Sequence, residues 1–417
     1  MKVLIINTSE RIGGAAIAAN RLMKALKKNG VKARMLVRDK QTDHLTVVSV
    51  GSSWAHTLRF LWERLCIFLG NGFSRKRLFL VDLANIGTDI TQTDEFQRAD
   101  VIHLHWTNQG FLSMKGLRRI LKAGKPVVIT MHDQWYFTGI CHYSGNCEKY
   151  TDHCHHCEQL GSHLLGDLAH HVFSQKERIY AGTQLTFVGC SEWMAAMARK
   201  SKLTQGHRVV SIPNAIDTDL FRPQDKAEAR KAFRLPLDKH LLLFGCQRIT
   251  DERKGFLYLV EALQLLKQAH PDVAQSTEIV VVGGQAEEVR DQVPFSIIPI
   301  SYVNDPQKMV QLYNAVDIYV TPSLQDNLPN TIMEALACGI PCVGFKVGGI
   351  PEMIDHQQTG YVANYQDAQD FADGIRWTLA ADYDALSRQA RNKVMTTYSE
   401  SAVARKYLEV YEAALAH

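Results

Sequence analysis

The chain has 417 residues, 46% hydrophobic and 22% charged, the proportions of a folded protein and not of a disordered one. Its length exceeds the roughly 250–300 residues at which a single core stops growing, so two domains are expected. The net charge of +4 hides an asymmetry: residues 1–210 hold 28 Lys+Arg against 16 Asp+Glu, and the remainder holds 19 against 27. A basic first half suits an anionic partner such as a phospholipid surface, a lipid-diphosphate carrier or nucleic acid, and a merely solvated basic surface is the plainer alternative. There is no run of 18 apolar residues, and MKVLIINTSERIGG lacks the basic start and long apolar stretch of a secretory signal. A cytoplasmic protein that does not span the membrane is therefore expected.

In chain order, residues 2–7 (KVLIIN) read as a buried strand, followed by a loop with Gly13 and Gly14 and a helical stretch that stops at Gly30. Glycines let backbone approach a ligand, and a helix start offers partial positive charge to a diphosphate or carbohydrate. The pair does not meet the spaced G-x-G-x-x-G of dinucleotide binders. A strand over 31–37 follows. Next comes WAHTLRFLWERLCIFLGNGFSRKRLFL, whose bulky apolar residues precede Arg75, Lys76 and Arg77. This stretch fits an interfacial helix on anionic lipid, or a core helix with a basic loop.

Residues 100–106 and 126–131 read as two more buried strands around a helix over 113–123, and the second delivers His132 and Asp133 at its carboxyl end, where open α/β sheets hold ligands. His132 suits a hydrogen bond to a polar ligand, and Asp133 suits orientation or proton abstraction. Then Cys141, Cys147, Cys154 and Cys157 fall within 17 residues, spaced C-x5-C-x6-C-x2-C. Persistent disulfides are not expected in the cytoplasm, so the spacing favours a structural zinc over a metal-free thiol cluster, with His142, His153, His155 or His156 able to replace one thiolate. The other five cysteines read as small core residues.

Residues 186–190 look like the last strand of the first domain, with Ser191 capping the next helix. The second domain opens with a strand over 240–247. Arg248 and Lys254 lie between its end and the following helix, where cations meet a nucleotide's diphosphate, and Arg253 is the alternative to Lys254. EIVVVGG, FSIIPIS, DIYVTPS and PCVGF then alternate with helical segments, the pattern of a doubly wound parallel sheet. After DIYVTPS come Asp326 in a loop, Pro329 in a first helical turn, Glu334 on the helix, and Gly339 with Pro341 ending it. The carboxylates suit hydroxyl-rich ligands because each oxygen accepts hydroxyl protons. Beyond residue 367 the chain reads as helical.

Asp326, seven residues, Glu334 and then AlaLeuAlaCysGlyIlePro resemble the acid-x7-Glu signature of retaining glycosyltransferase family 4, the glycosyl transferases group 1, although the first acid there is usually Glu. The resemblance runs over most of the chain and implies the GT-B fold, an α/β architecture of two doubly wound Rossmann-like domains facing a cleft. It places an N-terminal acceptor domain over 1–210 with the Cys-rich insert 141–157, a donor domain over 211–398, and a closing helix over 399–417 that packs back on the first domain. It implies a nucleotide diphosphate sugar held by Arg248 and Lys254 at the diphosphate and by Glu334 at the ribose. Asp326 and the backbone of Asn327, Leu328, Pro329 and Asn330 hold the donor sugar, and the Gly13–Gly14 loop lies over the donor. The spacing of the two cations is one residue longer than is common in the family. No DxD-bound catalytic metal is expected, so Asp217 and Asp219 are not read as one. A similar Cys-rich insert occurs in a bacterial surface-polysaccharide branch.

The expected activity is transfer of a sugar with retention to a carbohydrate or lipid-linked acceptor, by a protein in the cytoplasm or peripheral at the inner face of the cell membrane. The rival readings are a GT-B sugar-nucleotide epimerase or hydrolase, an inactive sugar-nucleotide binder, and a nucleic-acid binding protein with a zinc knuckle. No nucleic acid is expected on the main reading, because basic and aromatic residues are not interleaved on one module.

Overall fold

The computed structural model of the protein describes residues 1–161, 165–249 and 251–416. Within them the chain forms two compact units. One is Met1–Ala215 joined by the segment from Val403 onward, and the other is Ile216–Ala402.

The first unit is organised by seven parallel strands: β1 (Lys2–Ser9), β2 (Lys32–Asp39), β3 (Val47–Ser49), β4 (Val101–Leu104), β5 (Val127–Met131), β6 (Leu185–Gly189) and β7 (Arg208–Ser211). Their order is β3-β2-β1-β4-β5-β6-β7. The central strands are largely apolar because both faces are covered: every residue of β4 and β5 is buried, as is all of β1 after Lys2. One core lies around Ile102, Ile129 and Phe187, and the other face packs Val3, Ile5 and Val128 on α1 (Gly14–Lys28) and on the closing helix Glu400–Leu415. That helix buries Val403, Tyr407 and Tyr411 there. Residues 186–190 are not the last strand of the unit, since β7 pairs beside β6 with Phe187 opposite Val209. The Val209 stretch thus completes the sheet of this unit.

The second unit carries β8 (His240–Arg248), β9 (Thr277–Gly284), β10 (Ser296–Ile300), β11 (Ile318–Thr321), β12 (Cys342–Phe345) and β13 (Gly360–Ala363) in the order β10-β9-β8-β11-β12-β13. All five pairings are parallel. The chain winds outward from β8 in one direction, then restarts at β11 on the other side. β8 and β11 therefore flank the point where the winding reverses, the position at which such sheets open a crevice at their carboxyl ends. In the first unit the corresponding neighbours are β1 and β4.

Candidate functional site

At the β8/β11 reversal the two expected cations behave differently. Arg248 ends β8 on the surface, and among the described residues no acceptor pairs with its guanidinium. Lys254 is drawn across to the loop after β11, where its Nζ lies 2.7 Å from Oδ2 of Asp326. The Asp326 charge raises the Lys254 ammonium above its usual range, with burial pulling the other way. Arg253 instead pairs with Asp251 at 2.8 Å, which selects Lys254 as the cation that meets the acidic loop.

Backbone geometry fixes that loop. Gly255 follows Lys254 with φ +69°, and a Cβ there would collide with the carbonyl oxygen of Pro322. Gly348, after β12, has φ +56°, and a Cβ would strike the carbonyl oxygen of Asp326. Only glycine meets both demands, a left-handed backbone and a direct backbone approach. The amide of Leu324 also donates to the Arg253 carbonyl at 2.7 Å. Three consecutive strand ends, β8, β11 and β12, are thereby stitched together around Asp326.

The helix after this loop spans Asn330–Ala337, with Pro329 at the capping position (φ −63°, ψ 120°) and not inside the first turn. Its first amide groups have no earlier helical carbonyls to bond, which leaves donors at the strand-end side. Asn327 and Leu328 are buried beside them. Glu334 sits one turn in, and its Oε2 accepts the hydroxyl proton of Tyr313 at 2.9 Å. Tyr313 is a fully buried ring that the sequence does not single out as functional. The signature pair thus comes together as one acid bound to a lysine and one oriented by a tyrosine.

In the first unit the Gly13–Gly14 loop opens α1, and Gly13 has φ +92° with free space where a Cβ would stand. Glu10 anchors its base. The fully buried Glu10 side chain accepts from the amides of Gln41 at 2.7 Å and Thr42 at 2.9 Å. At the end of β5, His132 lies with Nε2 2.8 Å from Nδ1 of His105 and Nδ1 3.4 Å from the Cys190 sulfur. His105 lies beside His103, which is held by Tyr411 and Thr130, both at 2.7 Å. Burial pushes His132 down to about 4 and His103 to about 3, so the stack is neutral at physiological pH.

Asp133 is more committed than an abstracting base should be. Its Oδ2 accepts from Trp106 Nε1 and His142 Nδ1, both at 2.7 Å, and its Oδ1 from the Trp135 amide at 2.9 Å. His142 also contacts Asp82 at 2.8 Å through Nε2, and Asp82 meets Arg64. Burial opposes charging His142, but Asp133 and Asp82 on its two sides outweigh it and raise the imidazole to about 10. A line of alternating charge, Arg64, Asp82, His142, Asp133, therefore runs inside the unit. Nothing in the sequence separated His142 from the neighbouring histidines of the cysteine loop, and Asp82 and Arg64 carry no motif at all.

Among the described residues no group of three or more His, Cys, Asp or Glu side chains is arranged to hold a metal ion, and all nine cysteines are free thiols. Cys141, Cys147, Cys154 and Cys157 line one small cavity. Burial raises the thiols of Cys141, Cys154 and Cys157. His142 is bound between Asp82 and Asp133, and His155 faces His156 at 2.8 Å. Just before the cysteine loop, the fully buried Lys176 amine donates to the carbonyls of Trp135, Thr138 and Gly139 and stands 3.6 Å over the Trp135 ring.

Two doubly wound parallel domains define the GT-B class, and the second of them carries a lysine–aspartate pair and an oriented glutamate at its reversal point. Residues 12–220 match the model of Glycosyltransferase Family 4 and residues 238–381 that of Glycosyl transferases group 1, and the chain belongs to this glycosyltransferase family. It is 28% identical over 222 residues to D-inositol 3-phosphate glycosyltransferase of Saccharomonospora viridis, 50% of this chain and 51% of that one. It is 29% identical over 196 residues to the amylovoran biosynthesis glycosyltransferase AmsK of Erwinia amylovora, 42% of this chain and 46% of that one. The chain spans about half the length of the first curated relatives it matches. Among solved structures, Anabaena HepE in complex with UDP and glucose shares the fold, with a TM-score of 0.64, 15% identity, and coverage of 99% of this chain and 100% of that one.

Proposed function

We propose that the protein transfers a sugar, with retention of anomeric configuration, from a nucleotide diphosphate sugar to a carbohydrate or lipid-linked acceptor in surface polysaccharide synthesis. The observation that carries this reading is the Lys254–Asp326 pair beside Glu334 at the β8/β11 reversal. Arg248 and Lys254 hold the diphosphate and stabilise the charge that grows on it as the sugar leaves. Glu334, oriented by Tyr313, accepts the ribose hydroxyls. Asp326 and the backbone of Asn327, Leu328, Pro329 and Asn330 take the sugar. In the first unit the Gly13–Gly14 loop and His132 place the ligand as uncharged hydrogen-bonding groups, and Asp133 positions Trp106 and His142 without removing a proton.

AmsK acts in amylovoran biosynthesis by its name, which supports a polysaccharide acceptor, and the UDP bound to HepE makes UDP-sugars the first donors to try. The protein works at the cytoplasmic side of the membrane on this reading, and no described helix is long and apolar enough to cross one. A zinc on Cys141, Cys147, Cys154 and Cys157 rests on their sharing one cavity. Metal analysis of the purified chain tests it: one equivalent of zinc supports the centre, and none removes it.

The function is tested by following nucleotide release from a panel of UDP-, GDP- and ADP-sugars with and without membrane-extracted lipid-linked saccharides. Release that requires the acceptor, with an axial product linkage from an axial donor, supports transfer with retention. Release or isomerisation without acceptor establishes the hydrolase or epimerase instead.

A further inference from the structure

The helix α2 (Ser53–Gly70) is amphipathic in the wrong sense for a water-soluble surface. Its inward positions are His56, Glu63, Arg64 and Ile67, and three of these four are polar. Each polar one is bonded to its own unit: His56 to the Val50 carbonyl at 2.7 Å, Glu63 to the amides of Leu83 and Ala84 at 3.0 and 2.7 Å, and Arg64 to Asp82. Arg59, on the flank, is tied to Thr88 at 2.6 Å. Its outward positions are Trp54, Leu58, Leu61, Trp62, Leu65 and Leu69, with Trp54 73% and Trp62 53% exposed. These recur at intervals of three and four residues, so they form one stripe along four turns. No charged side chain of the helix is among its exposed residues.

The fold explains the inward face and leaves the outward one unexplained, because a stripe of two tryptophans and four leucines in water gains nothing for the monomer. The chain after the helix extends the pattern. Phe73 and Phe79 are exposed at 69% and 64%, and between them Arg75, Lys76 and Arg77 are exposed cations, Arg77 reaching the Glu158 carbonyl.

We propose that this face is the docking surface for an anionic lipid bilayer, on which α2 lies parallel to the membrane plane. Three features select a bilayer. The face offers almost no hydrogen-bonding groups, only Ser53 and Thr57 at its start, so it cannot specify a polar protein partner. Tryptophans are the side chains that favour the headgroup boundary, with leucines reaching the acyl region beneath. The Arg75, Lys76 and Arg77 cluster adjoins the apolar stripe and complements lipid phosphates, within a half of the chain that is itself basic. The helix has 18 residues and is not a membrane-crossing span, so it lies on the bilayer.

The inference deepens the lipid-linked acceptor reading, but its test reads binding alone, so either can fail without the other. The full-length protein is sedimented with sucrose-loaded vesicles of phosphatidylcholine, with and without 30% phosphatidylglycerol. The expected result is co-sedimentation with the anionic vesicles, falling on the order of tenfold or more in high salt or in Arg75→Ala/Lys76→Ala, and falling similarly on both vesicle types in Trp62→Ser/Leu65→Ser. Both variants change exposed side chains, and a native circular dichroism spectrum confirms that they fold. Failure to co-sediment with anionic vesicles, or equal binding by parent and variants, overturns the proposal. So does a dimer that Trp62→Ser/Leu65→Ser dissolves while vesicles are ignored, which would make α2 an interface between two copies.

Discussion

The strand ends of the two units use opposite electrostatics on the same type of sheet. In the second unit one cation is left at the surface: Arg248 carries no partner among the described residues, while the half-buried Lys254 shares one carboxylate. In the first unit the charges are satisfied internally. Arg64, Asp82, His142 and Asp133 neutralise one another beside a stack of neutral histidines. A free cation at a strand end recruits an anion, whereas a neutral, closed network presents rigid hydrogen-bonding edges to an uncharged ligand. On the function proposed above, the second unit takes the nucleotide diphosphate and the first the hydroxyl-rich ligand.

The comparison breaks most sharply at Lys254. Lys254→Ala removes the cation and frees Asp326, and turnover is expected to fall by about 10²–10³-fold, read as kcat on saturating donor. If turnover changes less than tenfold, the cation is not at the reacting diphosphate. In the first unit the largest effect is on stability. His142→Ala leaves Asp82 and Asp133 facing each other without the cation that joins them, at a cost of about 3 kcal/mol, seen as a lower denaturant midpoint. A variant as stable as the parent would show that the line of alternating charge does not hold this unit together.

Gly348→Ala comes next, since its Cβ requires the Asp326 carbonyl to move and its φ is left-handed. Roughly tenfold weaker nucleotide binding is expected from this displaced loop, where uniform scaffolding would give a loss of stability alone. Tyr313→Phe deletes one hydrogen bond to Glu334, worth about 1 kcal/mol, and should weaken nucleotide binding about fivefold with the fold intact. The His142 imidazole also sets a pH dependence. His142 is raised from 6.5 to about 10 in the folded state, so its contribution to stability is complete below about pH 6.5 and is lost as the pH rises through 10. His142→Asn should flatten that part of the stability profile.

How much of this was legible in the sequence follows from which interactions are local. The continuous apolar runs gave the strands, because a strand covered on both faces needs no alternation. The acid-x7-acid spacing put Asp326 and Glu334 on one loop and helix. The partners of those acids were hidden: Tyr313 lies 21 residues from Glu334 and Lys254 lies 72 from Asp326. The choice between Lys254 and Arg253 likewise needed the loop, since only the structure shows Arg253 turned to Asp251. The cysteine spacing reports proximity along the chain and leaves the metal question to direct analysis. The four cysteines do meet around one cavity, and Lys176, which bonds the carbonyls just before the loop, belongs to a helix well downstream. The short β3 and β13 have three and four residues, too few for a periodic signal. The inverted polarity of α2 was visible only as a hydrophobic stretch, because which of its faces is covered depends on residues 50–88 folding against it.

The central claim is that the β8/β11 crevice of the second unit binds the nucleotide diphosphate. The most direct measurement is calorimetric titration of the purified protein with UDP, GDP and ADP, repeated on Lys254→Ala and Glu334→Ala. The account predicts saturable binding of one of the three nucleotides, weakened on the order of tenfold or more by each substitution. No binding of any nucleotide, or binding by both variants that matches the parent, would contradict it.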